Sequence, residues 1–262
     1  MSDNSKQKDN IYASPQTEIN RFSFDNTVVE VFEDMIERSV PGYNKIIQMT
    51  EIIAQSLEPN LDDANDTKIG YYDLGCSLGA SLLAIKRGLV KTSQAEPNII
   101  QQAEITGVDN SAAMIKRCQH IVDQDHTPIP VTIRCESIEE TPIDNAMLVT
   151  LNFTLQFIPL EKRLALLSKI HSGMNNQGAL ILSEKVCFDS AVEQEIMERL
   201  HYDFKSANGY SEMEISQKRS ALENVLVAET IDAHKTRLSQ AGFSKAEVWF
   251  QCFNFVSLIA YK

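Results

Sequence analysis

The stretch Ile69-Gly70-Tyr71-Tyr72-Asp73-Leu74-Gly75-Cys76-Ser77-Leu78-Gly79 is a short apolar run that enters a turn of small residues. Such a run reads as a strand, and the helical pattern from Ser77 to Leu89 that follows makes a strand–turn–helix unit. Small residues at the turn let backbone approach a ligand closely, so Gly75, Cys76 and Ser77 are candidate cofactor-binding positions. An ordinary tight turn that packs a helix onto a sheet would have the same composition.

Downstream, the pattern alternates. Strands are expected at Glu104-Asp109, Val131-Cys135, Met147-Phe153 and Ala179-Val186, with helices at Ala112-Val122 and Leu160-Ser172. That alternation predicts a doubly wound α/β fold, a mostly parallel sheet wrapped by helices. Gly173 and Gly178 bracket the turn feeding the last of these strands. Residues 247–261 read as two strands of a hairpin or one long bent strand, and Ala191 to Gly242 as inserted helices lying over the strand ends, long enough to form a lid. Upstream, apolar spacings of three and four predict a helix over Thr27-Val40, stopped by Pro41-Gly42, and a second from Tyr43 to about Leu57. The stretch Leu61 to Asp66 is acidic and turn-rich.

The chain has 262 residues with 43% hydrophobic content, enough for one compact domain over 21–262 behind a loose polar tail of about twenty residues. Its formal charge of -12 works against phosphate backbones and anionic membranes as direct partners. Five scattered cysteines form no metal-ligand cluster, so they read as reduced, mostly buried thiols, and no metal is expected. No apolar stretch reaches the roughly 20 residues a membrane span needs, and the first residues lack a signal-peptide core. A cytoplasmic location is the expectation.

In an open α/β sheet the ligand crevice lies at the carboxyl ends of the strands. Asp109 ends the second strand, where a carboxylate can accept hydrogen bonds from both hydroxyls of a ribose, with Asn110 beside it. The interval from the turn exceeds the usual figure of about 20 residues, and the polar stretch Lys91 to Asn98 accounts for the extra length as a surface insertion. Asp109, Asn110 or Ser111 could instead simply cap the next helix. Ser137 and Ile138 follow the third strand, a place that resembles the one at which class I methyltransferases commonly meet an adenine edge, though a plain loop reads nearly as well. Asn152 terminates an apolar strand, a functional or a purely structural position.

Several segments, Ser39-Val-Pro-Gly-Tyr43, Asn152-Phe-Thr-Leu-Gln-Phe157, Leu182-Ser-Glu-Lys185, Ala207-Asn-Gly-Tyr-Ser-Glu212, Ile215-Ser-Gln-Lys-Arg219 and Trp249-Phe-Gln-Cys-Phe-Asn-Phe255, together with the glycine turn, resemble the carboxy-S-adenosylmethionine synthase family. The similarity covers nearly the whole chain after the tail and implies a Rossmann-like class I methyltransferase fold. Two departures stand out: Ser77 where that superfamily usually has glycine, and Ser137 where the family leads one to expect Asp.

The resemblance implies an enzyme that converts S-adenosylmethionine and prephenate to carboxy-S-adenosylmethionine and phenylpyruvate. It further implies a homodimer whose product a partner enzyme uses to carboxymethylate a tRNA wobble uridine. In the family's proposed chemistry, prephenate loses carbon dioxide and hydroxide, the hydroxide deprotonates the sulfonium methyl, and the ylide captures the carbon dioxide. Such chemistry asks for a closed pocket more than for a basic side chain. By the same carry-over Arg219 would bind the newly attached carboxylate through paired, charge-assisted hydrogen bonds. On the residues alone the preferred reading is an exposed partner of Glu223, and the resemblance reverses that preference. Tyr43 would contact S-adenosylmethionine, and Tyr210 would help close the pocket near Arg219; each could be a packing residue instead. His201 reads as a helix-face residue satisfied by a neighbour. Two other readings use the same turn: a conventional small-molecule methyltransferase, and a silent S-adenosylmethionine-binding subunit of a tRNA-modifying complex.

Overall fold

The computed structural model describes residues 7–59, 68–94 and 97–262; the acidic stretch Leu61 to Asp66 lies outside them. Helices α1 (Asn26–Ser39) and α2 (Tyr43–Ser56) come first, joined by a turn in which Gly42 takes a left-handed conformation. Asp25 starts α1 by accepting the amides of Thr27 and Val28.

The α/β unit then runs β1 (Ile69–Leu74), α3 (Ala80–Thr92), α4 (Ile99–Gln102), β2 (Ala103–Asp109), α5 (Ala112–Asp123), β3 (Val131–Cys135), β4 (Ala146–Asn152), α6 (Leu160–Gly173) and β5 (Met174–Lys185). Among the described residues these strands and two more form one sheet in the order β3-β2-β1-β4-β5-β7-β6, with β6 (Lys245–Cys252) and β7 (Phe255–Tyr261). Strands β1 to β5 pair in parallel, whereas β7 runs antiparallel to both β5 and β6. The carboxyl end is therefore the hairpin of the two alternatives.

All six residues of β1 and six of the seven in β4 are buried, as expected for central parallel strands covered on both faces. On one face Leu166, Leu167 and Ile170 of α6 pack on Leu74, Val149 and Leu180; on the other Leu82, Ile85 and Leu89 of α3 meet Tyr71, Ile105 and Leu148. Gly173 and Gly178 are needed for close approach: a Cβ on Gly173 would lie 2.2 Å from the Ile143 carbonyl oxygen. The strand they were expected to precede begins earlier, at Met174, and contains Gly178.

Three expectations need correction. The helical stretch after β5 holds α7 (Ala191–Ala207), α8 (Glu212–Leu222) and α9 (Ile231–Ala241). Only α7 and α8 lie over the strand ends, because Leu238 and Ala241 of α9 pack with α6 on the sheet. The tail expected to be loose is anchored between Asp9 and Gln16, with Asp9 and Tyr12 buried, while residues 13–21 are exposed. Asp9 is 1% exposed and accepts the Tyr210 hydroxyl, and Gln217 of α8 donates to the Tyr12 carbonyl and accepts the Gln16 amide. Those partners lie some two hundred residues away, so local hydropathy could not reveal them. Between α3 and α4, the polar stretch expected as a surface insertion starts within a helix, since Lys91 and Thr92 continue α3, while Lys91, Gln94, Pro97 and Asn98 are exposed. Of the cysteines, Cys76 and Cys118 are buried, Cys135 is exposed and the others are partly so.

Candidate active site

A cavity of about 740 Å³ opens at the carboxyl ends of the parallel strands, beneath α7 and α8, within the usual range of roughly 300–1,000 Å³ for small-molecule sites. It sits where the sheet order reverses between β1 and β4, the crevice position of open α/β sheets. The floor comes from successive strand ends. Gly75 follows β1 with φ +81, and a Cβ there would lie 2.2 Å from the Thr154 hydroxyl oxygen, so only glycine fits.

Ser77 has φ +47 and Phe153, just past β4, has φ +59, left-handed conformations that cost about 1–3 kcal/mol each outside glycine. Both line the cavity. The Ser77 conformation gives a physical reason for the glycine usual at that place. It is secured by Asp109, whose carboxylate accepts the Ser77 amide at 3.0 Å and the Ser111 amide at 2.8 Å. Burial raises the Asp109 pKa, and those amides pull it back. Ser111, not Asp109, caps α5, by accepting the Met114 amide.

Asp73, one turn deeper, is buried and ties the loop to its surroundings by accepting the Thr150 hydroxyl at 2.7 Å and the Leu82 amide at 3.0 Å. Burial pushes its carboxyl up to about 6. Asn152 at the end of β4 donates to Ser81 at 2.9 Å and accepts from Ser183 at 2.6 Å. Ser137 and Ile138, past β3, complete the floor, with the Ser137 hydroxyl accepting the Glu139 amide. Phe22, Phe24 and Phe157, packed edge to face, make an apolar wall.

The roof is cationic. Arg219 of α8 is 76% exposed and pairs with Glu198 of α7 at 3.2 Å; Glu223, the partner its spacing favoured, caps α8 instead. An exposed pair of this kind contributes about 0.2–1 kcal/mol, less than the roughly 1.5–3 kcal/mol of a hydrogen bond to a charged group. Lys185 at the end of β5, Lys205 of α7 and Lys218 of α8 also line the cavity. Burial and neighbouring cations hold Lys205 at about 8, and burial holds Lys218 at about 8 against the pull of Asp9.

The structure thus brings Gly75, Ser77, Asp109, Asn110, Ser137, Ile138, Asn152 and Arg219 to one cavity. It leaves three expected residues outside the lining. Cys76 points into the core, and its amide is bonded to the Val108 carbonyl at 2.9 Å. Tyr43 packs on Phe153 with ring centroids 6.3 Å apart and faces a smaller hollow, of about 240 Å³, bordered by Leu78. Tyr210 lies below the roof, under the Arg38 guanidinium at 3.8 Å, its hydroxyl on Asp9. His201 does line the cavity, bonded to the Ser39 carbonyl at 2.9 Å, and burial holds it neutral with a pKa of about 3. The three lysines and Phe153 were not singled out from the sequence. Lys185 obeys the rule that marked Asn152, a polar residue ending an apolar strand; Lys205 and Lys218 carry no such signal.

Among the described residues no group of three or more His, Cys, Asp or Glu could hold a metal ion, and no helix is long and apolar enough to cross a membrane.

A family model described as a methyltransferase domain matches residues 72–178. Solved structures similar in fold include an O-methyltransferase from Nostoc punctiforme, described as putative (TM-score 0.58, 17% identity), and PigF with SAH (TM-score 0.55, 16% identity). They cover 90% and 91% of this chain, which spans 60% of each of them. The fold is that of class I methyltransferases. Curated relatives named carboxy-S-adenosyl-L-methionine synthase are far more similar. Those from Actinobacillus pleuropneumoniae serotype 5b and Citrifermentans bemidjiense are 48% and 49% identical, covering 97% and 98% of this chain and 99% of their own; that of Escherichia coli O7:K1 is 46% identical over 97% of both. On identity of this extent along the whole of the fold, the chain belongs to the carboxy-S-adenosyl-L-methionine synthase family of enzymes.

Proposed function

We propose that the protein converts S-adenosylmethionine and prephenate to carboxy-S-adenosylmethionine and phenylpyruvate. The observation that carries this reading is the polarity of one cavity: a glycine turn and a ribose-type carboxylate at the floor, and at the roof four cationic side chains against two acidic ones, Glu198 and Glu223, in a protein whose net charge is -12. A simple methyl transfer to a neutral acceptor gives no use to that roof, whereas a dicarboxylate substrate and a carboxylated product do.

In this reading the Gly75–Ser77 turn and Asp109 hold the nucleoside of S-adenosylmethionine, Asp109 accepting from the ribose hydroxyls in place of solvent. Asn110, Ser137 and Ile138 border the adenine, with backbone groups doing at Ser137 what an acidic side chain would do elsewhere. Asn152 orients the amino-acid end. S-adenosylmethionine, when bound, supplies a methyl carbon activated by the adjacent sulfonium. Arg219 selects the carboxylated form, because a guanidinium repels a bare sulfonium and attracts a carboxylate. Tyr43 supports the turn through Phe153, Cys76 through the core, and Tyr210 by fixing Asp9 beneath α8. Closure of α7 and α8 excludes bulk water during carbon dioxide transfer. The protein acts as a cytoplasmic homodimer without touching nucleic acid, and a separate tRNA carboxymethyltransferase consumes its product.

The test is mass spectrometry of small molecules that copurify, then incubation with S-adenosylmethionine and prephenate. The expected result is an ion heavier than S-adenosylmethionine by one carbon dioxide unit, formed with phenylpyruvate and lost in Arg219→Ala. Unmodified S-adenosylmethionine with no prephenate consumed would favour a methyltransferase or a silent binder instead.

A further inference from the structure

The three lysines of the roof stand apart from the residues so far given roles. Lys185 ends β5, Lys205 lies near the carboxyl end of α7 and Lys218 sits in the middle of α8, so three separate elements deliver ammonium groups to one side of the cavity. Their partners do not balance them. Lys218 donates to the Ser39 hydroxyl at 3.0 Å and lies 3.6 Å from the Asp9 carboxylate, which is shared with Tyr210. Lys185 has only the field of Glu198, a residue already paired with Arg219. Among the described residues neither a hydrogen bond nor an ion pair engages the side chain of Lys205, and the charges acting on it, Lys185, Lys218 and Arg219, are all positive.

Burying an ammonium beside other cations is costly unless something negative enters with it. Solvated surface lysines would simply point away; these are held inward by the elements that carry them. We infer that Lys185 and Lys205, backed by Lys218, form a dicarboxylate subsite that binds the two carboxylates of prephenate, while Arg219 is kept for the carboxylate of the product. This rests on the function proposed above. The division follows from exposure as well as charge: Arg219 is free to swing at the rim, whereas Lys218 is 7% exposed and fixed. The aromatic wall of Phe24 and Phe157 borders the same cavity and offers the substrate's ring an apolar surface. S-adenosylmethionine has a single carboxylate and carries a sulfonium, so it gains less from such a cluster than a dicarboxylate does.

Lys205→Met is the informative variant, since no partner is orphaned by the change and the methionine keeps most of the apolar stem; Lys185→Met is its companion. Initial rates are measured against prephenate at saturating S-adenosylmethionine, and S-adenosylmethionine affinity is measured separately by calorimetry. Each lysine variant should raise the KM for prephenate roughly ten- to a hundredfold, the span of a lost charge-assisted hydrogen bond. Affinity for S-adenosylmethionine should stay within about twofold, and Lys205→Arg should restore most of the KM. An unchanged KM in both variants, with wild type consuming prephenate normally, would overturn the subsite and leave the function standing. Equal weakening of S-adenosylmethionine binding would overturn it too, by assigning the lysines to that ligand's own carboxylate. Wild-type protein that binds S-adenosylmethionine but never consumes prephenate would overturn both readings together.

Discussion

At the scale of single residues, the strand ends hold acids whose protonation is set by burial. Glu184, the residue before Lys185, is fully buried; one carboxyl oxygen accepts the Leu155 amide at 3.0 Å and the other has no partner among the described residues. Burial lifts its pKa to about 8, outweighing the guanidinium of Arg163 and the backbone amides that pull it down. In the unfolded chain a glutamate titrates near about 4.3. Between those values the native state holds a proton that the unfolded state has lost, so this group costs the protein stability as pH rises towards 8. Asp73 acts in the same sense but only up to about 6, while Lys205 and Lys218, held at about 8, work the other way above that pH. The difference between two melting curves therefore isolates Glu184. Glu184→Gln keeps an acceptor for Leu155 and carries no charge, so its melting temperature should match wild type near pH 5 and exceed it increasingly from pH 6 to 8. Thermal melts across that range check the sign; parallel curves would mean that Arg163 keeps Glu184 ionised throughout.

At the scale of elements, the roof depends on how firmly α8 is started. Ser211 accepts the Glu214 amide and Glu214 reaches back to the Ser211 amide at 2.7 Å, a reciprocal cap on the helix that carries Lys218 and Arg219. Removing such a cap costs about 1 kcal/mol, or about a fivefold shift in a local opening equilibrium. Hydrogen exchange of α8 amides in Ser211→Ala should accelerate by about that factor while β4 and β5 stay unchanged; equal acceleration in the strands would mean that roof and sheet open as one unit. The sheet elements were legible in the sequence because each depends on its own apolar run: β1 and β3 fall on the expected residues and the others begin or end within a few. Elements held from a distance were not. The start of β5 at Met174, the separation of α9 from the insertion and the docking of Asp9 and Gln16 on α8 rest on contacts between remote residues. The same limit applies to the site. Gly75, Asp109 and Asn152 stand at strand ends, where position alone implies a ligand, whereas Lys205 and Lys218 sit on charged helices that look like solvated faces until the fold turns them inward.

At the scale of the whole molecule, a chain of formal charge -12 gathers Lys185, Lys205, Lys218 and Arg219 at one cavity, with Glu198 and Glu223 beside them and Asp109 and Glu139 also in its lining. The two proposed substrates meet this field oppositely, since S-adenosylmethionine carries net positive charge and prephenate two negative charges near neutral pH. The screening length is about 30 Å at 0.01 M salt and about 8 Å at 0.15 M. Low salt therefore lets the whole acidic surface act on an approaching ligand, while higher salt confines electrostatics to the cavity mouth. Contacts inside the cavity, being partly buried, are screened much less. Raising ionic strength from 0.01 to 0.15 M should then increase kcat/KM for prephenate and decrease it for S-adenosylmethionine, each by a small factor, with kcat nearly constant. Steady-state rates with one substrate saturating and the other varied give both slopes. A fall for prephenate together with a rise for S-adenosylmethionine would show that the lysines and Arg219 project their field beyond the mouth and govern encounter themselves, and the roof would then steer prephenate in as well as hold it.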